Sequence, residues 1–144
     1  MNRRGFTLLE ILLAITLMGI LLVTVVRLVN PQKRFGDVNN LQRKSDVLSI
    51  YTAINQYRED NRGNLPAGIT TTVMSICQPG CTPSTTQIDI TTEISKYIRL
   101  GKPPIDPVQT GTVLTGYTVY ATEQGRVIVS APLAENGVTI NTIE

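Results

Sequence analysis

Few side chains in this 144-residue chain stand where they could do chemistry. The first is Glu10. It lies in a run from Phe6 to Val26 in which every other residue is apolar or small and weakly polar. A carboxylate in such a run costs about 2.5–3.5 kcal/mol at the centre of a membrane helix, so it demands a partner or a purpose. The second is the pair Cys77 and Cys81, separated by Gln78-Pro79-Gly80. Two Cys without any His cannot complete a four-ligand zinc site, and the spacing is not the C-x-x-C of redox proteins. Pro-Gly between them lets the thiols meet across a tight turn. Outside the cytoplasm the expected state is a disulfide, with two free thiols as the alternative. Closing so short a loop contributes roughly 2 kcal/mol in the chain-entropy model. The third set is Asp89, Glu93 and Asp106, carboxylates that could pair as acid and base. Turn and helix-start positions are their commoner explanation. With no His and no Gly-rich phosphate loop, neither catalysis nor a cofactor is expected.

Glu10 has to be held by the run around it. As a helix, roughly 21 residues at about 1.5 Å each span about 31 Å, the thickness of a bilayer's hydrocarbon core. Arg3, Arg4 and Gly5 stand in front. A secretory signal peptide would end in a small-residue cleavage site. Val23-Thr24-Val25-Val26-Arg27 offers none, and no Cys near position 20 could carry a lipid. Basic residues flank both ends of the run, so charge alone does not orient it. If Glu10 merely snorkels or stays protonated, the helix is a plain anchor.

A short basic leader, then Gly5-Phe6-Thr7-Leu8-Leu9-Glu10, then a long apolar helix resembles the N-terminus of type IV pilins and pseudopilins. The resemblance implies cleavage after Gly5 by a membrane-embedded prepilin peptidase and N-methylation of the new first residue, Phe6. It also implies that Glu10 acts in filament assembly. The implied partners are copies of the same chain in a helical filament, the peptidase, an inner-membrane assembly platform and the lipid bilayer. The implied location is a single pass through the inner membrane with the N-terminus inside, then a periplasmic or cell-surface filament. The physics agrees with this resemblance. Cleavage would leave an α-ammonium on Phe6, with a reference pKa near 8, and methylation keeps it cationic. That cation, on the same chain or a neighbour, is the partner Glu10 lacks.

The rest of the chain reads as a small domain. Residues 1–44 hold seven basic and two acidic residues, net +5, and the remainder six and nine, net −3. Losing Arg3 and Arg4 would leave the side chains neutral overall. Asn30-Pro31 predicts a kink, and Gly36 a second weak point. From Asp37 to Asn61, Val47, Ile50, Tyr51, Ile54 and Tyr57 fall on one helical arc. Gly63 and Pro66 end that helix. Lys33, Arg34, Arg43 and Lys44 read as a solvated basic face pairing with Asp37 and Asp46. DNA binding is possible but not indicated, because no aromatic residues interleave the cations.

Further on, Ile69–Ile76 reads as a strand or extended loop and Thr91–Ile98 as a short helix. Gly116–Ala121 and Arg126–Ser130 alternate as a hairpin around Glu123-Gln124-Gly125, and Val138–Ile143 reads as a last edge strand. The order Asp106-Pro107, Gly116, Tyr117, Tyr120, hairpin is similar to the C-terminal part of small pilins and of the major pseudopilin of type II secretion. That pseudopilin's calcium ligands find no residue-by-residue match, so no metal is expected.

The expected fold class is α+β: a long kinked N-terminal helix, membrane-spanning in its first half, packed on a small antiparallel sheet. The expected segments are a leader (1–5), a spanning or filament-core helix (6–29), its amphipathic continuation (30–62) and a globular domain (63–144). The expected function is that of a pilus or pseudopilus subunit precursor. The alternatives are a non-assembling single-pass binding protein and a binding domain released by signal peptidase.

Overall fold

The computed structural model describes residues 5–29 and 31–142. Leader residues 1–4, the predicted kink at Asn30 and the final residue of the expected strand Val138–Ile143 lie outside the described residues. The chain divides into two compact units, Met1–Phe35 and Gly36–Glu144. The fold class is α+β.

In the first unit, α1 runs Leu8–Val29. It is built from straight-chain and β-branched apolar residues without a Pro, and its stretch Leu8–Leu28 is long and apolar enough to cross a membrane. None of that stretch is buried. The helix α2 runs Pro31–Asp60. Proline suits its first position, where no intrahelical N–H bond is needed. Its C-terminus closes with Arg62 in the left-handed region (φ 59°) and the Gly63 N–H donating to the Arg58 carbonyl at 2.8 Å. That six-to-one bond is the Schellman closure. Arg62 takes the first left-handed position, and Gly63 after it also has a positive φ of 91°.

In the second unit, β1 (Met74–Cys77), β2 (Gln87–Ile88), β3 (Leu114–Ala121) and β4 (Val127–Ser130) form one sheet in the order β2-β1-β3-β4. A short helix α3, Thr91–Ile94, follows β2. The hairpin β3–β4 is antiparallel with Val119 opposite Val129, and β3 also runs antiparallel to β1. The pair β1–β2 is parallel, so the sheet is mixed. Strand β3 alternates strictly, with Thr115, Tyr117, Val119 and Ala121 inward. Val47, Ile50, Ala53 and Ile54 of α2 join that face, with Ile76, Ile88, Ile94 and Val129, in one core. Of the predicted helical stripe, Tyr51 and Tyr57 are only half-buried. In place of the expected last strand, the described residues show a single bridge, Ser130 to Asn141.

Gly36 does not weaken α2. It is buried, and a Cβ there would meet Asn136 Nδ2 at 2.8 Å. The residue's role is close approach, not a break.

Candidate functional site

Helix α1 begins only at Leu8, so the Gly5–Phe6 bond lies outside it. A peptide bond must be extended to enter a protease cleft, and helical hydrogen bonding would oppose that. Nothing stands within 4 Å of a Cβ built on Gly5, and Phe6 is 76% exposed. Thr7 then starts the helix. Its Oγ1 accepts from the Glu10 N–H at 3.2 Å, and its carbonyl accepts from the Ile11 N–H at 3.3 Å. Thr7-x-x-Glu10 is thus a capping sequence, with the acid at the positive end of the helix dipole. The Glu10 position therefore serves helix initiation locally, and its carboxylate is exposed. Among the described residues no ion pair reaches it.

The rest of α1 is consistent with an apolar surrounding. The Thr16 hydroxyl donates to the Leu13 carbonyl at 2.8 Å, and that of Thr24 to the Leu21 carbonyl at 2.7 Å. Both donors are thereby spent within the helix, as lipid requires.

Cys77 and Cys81 form a disulfide. The turn it closes has Gly80 at φ 83°, and the Cys81 N–H donates to the Gln78 carbonyl at 3.2 Å. Asp89 ties this turn to α3. It accepts from the Gly80 N–H at 3.2 Å and from the Thr91 N–H at 2.9 Å. Burial pushes the Asp89 carboxyl up, but hydrogen bonds from Thr91 and Gly80 outweigh it and hold the group below the usual range. Glu93 lies in the first turn of α3. Asp89 and Glu93 thus occupy the turn and helix-start positions expected of them.

Arg43 departs from expectation. It is fully buried and not part of a solvated face. Its Nε and Nη2 donate to the two carboxylate oxygens of buried Asp106 at 2.7 and 3.1 Å. Nη1 donates to Asn40 Oδ1 and to Glu135 Oε2, both at 2.9 Å. The partners are Asp106 and Glu135, not Asp37 or Asp46. Asp37 instead accepts from the Asn136 amide, and Asp46 from the Tyr117 hydroxyl at 2.7 Å. Lys33, Arg34 and Lys44 do lie exposed. A signal for Arg43 was present: it sits four, seven and eleven residues before Val47, Ile50 and Ile54, on the arc that faces the core.

The electrostatics follow from these contacts. Asp106 raises the Arg43 guanidinium further, against the opposing cost of burial, and Glu135 adds to it. The Asn39 amide and then Arg43 hold Glu135 below its ordinary range. Burial raises Asp46, and the Tyr117 hydroxyl bond only partly offsets it. Gly116, at φ 88°, makes room for Asp106, since a Cβ there would lie 2.7 Å from the Asp106 Cβ. This network is a fastening between α2 and two distant loops. It presents no free nucleophile or base. Among the described residues no group of three metal-ligating side chains gathers.

Residues 1–26 match the family model described as the prokaryotic N-terminal methylation motif. No curated protein and no solved structure matches the chain. The motif points to a structural protein rather than an enzyme, and together with the apolar helix it fits a membrane-anchored pilin. The N-terminus of this chain therefore carries the prepilin-type signature of type IV pilin-like precursors.

Proposed function

We infer that this chain is the precursor of a filament subunit of the type IV pilus or pseudopilus kind. The observation that carries the reading is the unburied apolar helix Leu8–Leu28 directly behind the cleavage motif, with a carboxylate in its first turn that no ion pair reaches among the described residues. A helix of that surface is stable only in lipid or among similar helices. Prepilin peptidase cuts the exposed Gly5–Phe6 bond, and Phe6 is then N-methylated. The helix waits in the inner membrane, N-terminus inside. On assembly at a membrane platform it leaves the bilayer for a bundle of identical helices. There the Glu10 carboxylate meets the methylated ammonium of a neighbouring subunit. In that low-dielectric setting the pair both attracts and sets the register. The domain Gly36–Glu144 forms the outer surface.

The test is the mass of the mature N-terminus. Wild type should begin at N-methyl-Phe6, and Gly5→Val should retain Met1, because a branched side chain blocks backbone approach at the scissile bond. An intact Met1 in wild type would instead indicate a non-assembling single-pass protein. A start beyond residue 23 would indicate release by signal peptidase.

A further inference from the structure

Two open hollows on the unit Gly36–Glu144 run into one another. The first, about 240 Å³, lies between α2 and the turn of the β3–β4 hairpin. The second, about 620 Å³, lies between α2 and residues 139–142. Tyr51, Arg126 and Thr142 line both, so the two form a single groove beside α2. Along that helix Lys44, Tyr51 and Arg58 stand seven residues apart, which keeps them within about 20° per step of one line. The Lys44 and Arg58 positions are about 21 Å apart along the axis, at about 1.5 Å per residue. Arg126 faces the middle of this row from the hairpin.

The charge of the groove departs from that of its surroundings. The unit carries eight basic and ten acidic residues. In the groove Lys44, Arg58 and Arg126 take part in the lining, and no Asp or Glu does. Among the described residues, no hydrogen bond or ion pair engages the ammonium of Lys44 or the guanidinium of Arg126. Arg58 Nη1 donates to the Gly125 carbonyl at 3.2 Å, which positions the guanidinium without neutralising it. Elsewhere on the unit an exposed cation does find an acid, as Lys96 finds Asp60 at 2.9 Å. Three cations in a row without one raise a local positive potential that suits an anion supplied from outside.

The neutral residues narrow the kind of anion. Tyr51 is half-buried and packed against the core, so its ring is fixed at the centre of the row. The negative face of such a ring suits the C–H side of a pyranose. Asn55, Gln124 and Thr139, also in the lining, offer donors and acceptors to sugar hydroxyls. We propose that this groove binds an acidic polysaccharide, a chain of sugars that carry carboxylates. The carboxylates meet Lys44, Arg126 and Arg58, and a ring between them lies on Tyr51. Single-stranded nucleic acid fits less well, because its bases stack on successive aromatic side chains and the groove has one. Duplex DNA, with a charge about every 1.7 Å, calls for a denser row of cations. An acidic peptide has no pyranose face for Tyr51. Binding of this kind requires neither cleavage after Gly5 nor assembly, so it stands apart from the filament reading.

The experiment titrates full-length protein in detergent with polygalacturonate oligomers and reads the heat of binding. Binding should be measurable at low salt and weaken as salt is raised, since exposed charge pairs are screened. The methyl-esterified oligomer, which keeps the backbone and loses the charge, should not bind. Lys44→Gln/Arg126→Gln should weaken binding about tenfold, the effect of losing two exposed charge contacts. Both side chains are exposed, so the fold should be intact. Arg99→Gln/Lys102→Gln removes the same charge from exposed positions outside the groove and should leave the affinity unchanged. No binding of polygalacturonate, equal binding of its methyl ester, or an equal loss from the two double variants overturns the proposal. Oligothymidylate or polyglutamate binding as tightly as polygalacturonate overturns it as well, in favour of a nucleic acid or an acidic peptide.

Discussion

Glu10 and Arg43 are both charges set among apolar neighbours on helices, and their surroundings are opposite. Arg43 is enclosed by its own chain. It makes four hydrogen bonds, to Asp106, Asn40 and Glu135, and is shielded from solvent. Glu10 stands on an exposed apolar helix, and among the described residues no ion pair reaches it. The domain that holds Arg43 is closed on itself. The helix that holds Glu10 has an apolar surface and an exposed charge. The position of the charge, not its type, separates the enclosed Arg43 from the exposed Glu10.

The largest expected effect on assembly comes from Glu10→Ala. Filaments sheared from the surface should fall by at least about tenfold, the effect of some 1.4 kcal/mol lost per contact. Cleavage after Gly5 should continue, and unfolding of the domain should not shift. Glu10→Gln, which keeps shape but not charge, should show the same defect. Normal filaments from Glu10→Ala would erase the contrast with Arg43.

Arg43→Met should also leave cleavage intact but destabilise the domain by about 3–5 kcal/mol, because Asp106 stays buried without its cation. Denaturant midpoints of the full chain in detergent measure this. Adding Asp106→Leu should recover most of the loss, since an apolar pair replaces an ionic one at little cost. If Arg43→Met alone is neutral, the network is not what fastens α2.

Reducing the Cys77–Cys81 bridge is expected to cost less, roughly 2 kcal/mol by loop entropy. Protein taken from the cell surface without reductant should resist alkylation at both positions. Full labelling of both thiols would show the pair to be unlinked.

The smallest effect is in acid. Glu135 has a lowered folded-state pKa, so the unfolded chain binds its proton first as pH falls. Its contribution is complete above the ordinary value of 4.5 and is lost as pH drops through the folded-state value. Asp46, raised by burial, works in the other sense: its contribution is present at low pH and lost as pH rises through its folded-state value. Comparing wild type with Glu135→Gln isolates the first group. The variant should lose less stability between pH 4.5 and acid unfolding. Identical acid profiles would remove Glu135 from the network's energetics.

Much of this was legible residue by residue. The hairpin β3–β4 follows from alternation about Glu123-Gln124-Gly125, and α2 from the arc Val47, Ile50, Ile54. Strand β2 was not legible. Two residues, Gln87 and Ile88, are too few to display a period, and their parallel pairing with β1 is a long-range event. Gly36 was misread as a weak point because sequence shows its flexibility and not the Asn136 side chain that needs its space.

By itself the sequence determined what depends on neighbours along the chain. These are the bilayer length of the apolar run, the fixed offset from Gly5 and Phe6 to Glu10, the turn that brings Cys77 to Cys81, and the periods that define each face. Periodicity tells which side chains share a face. It cannot tell whether a charge on that face is tolerable, because that depends on partners delivered from elsewhere. Asp106 lies 63 residues from Arg43 and Glu135 lies 92 residues away. Only the tertiary structure brings those carboxylates to the guanidinium, and desolvation makes the difference: without them a buried Arg43 would be prohibitive, and with them it joins the core.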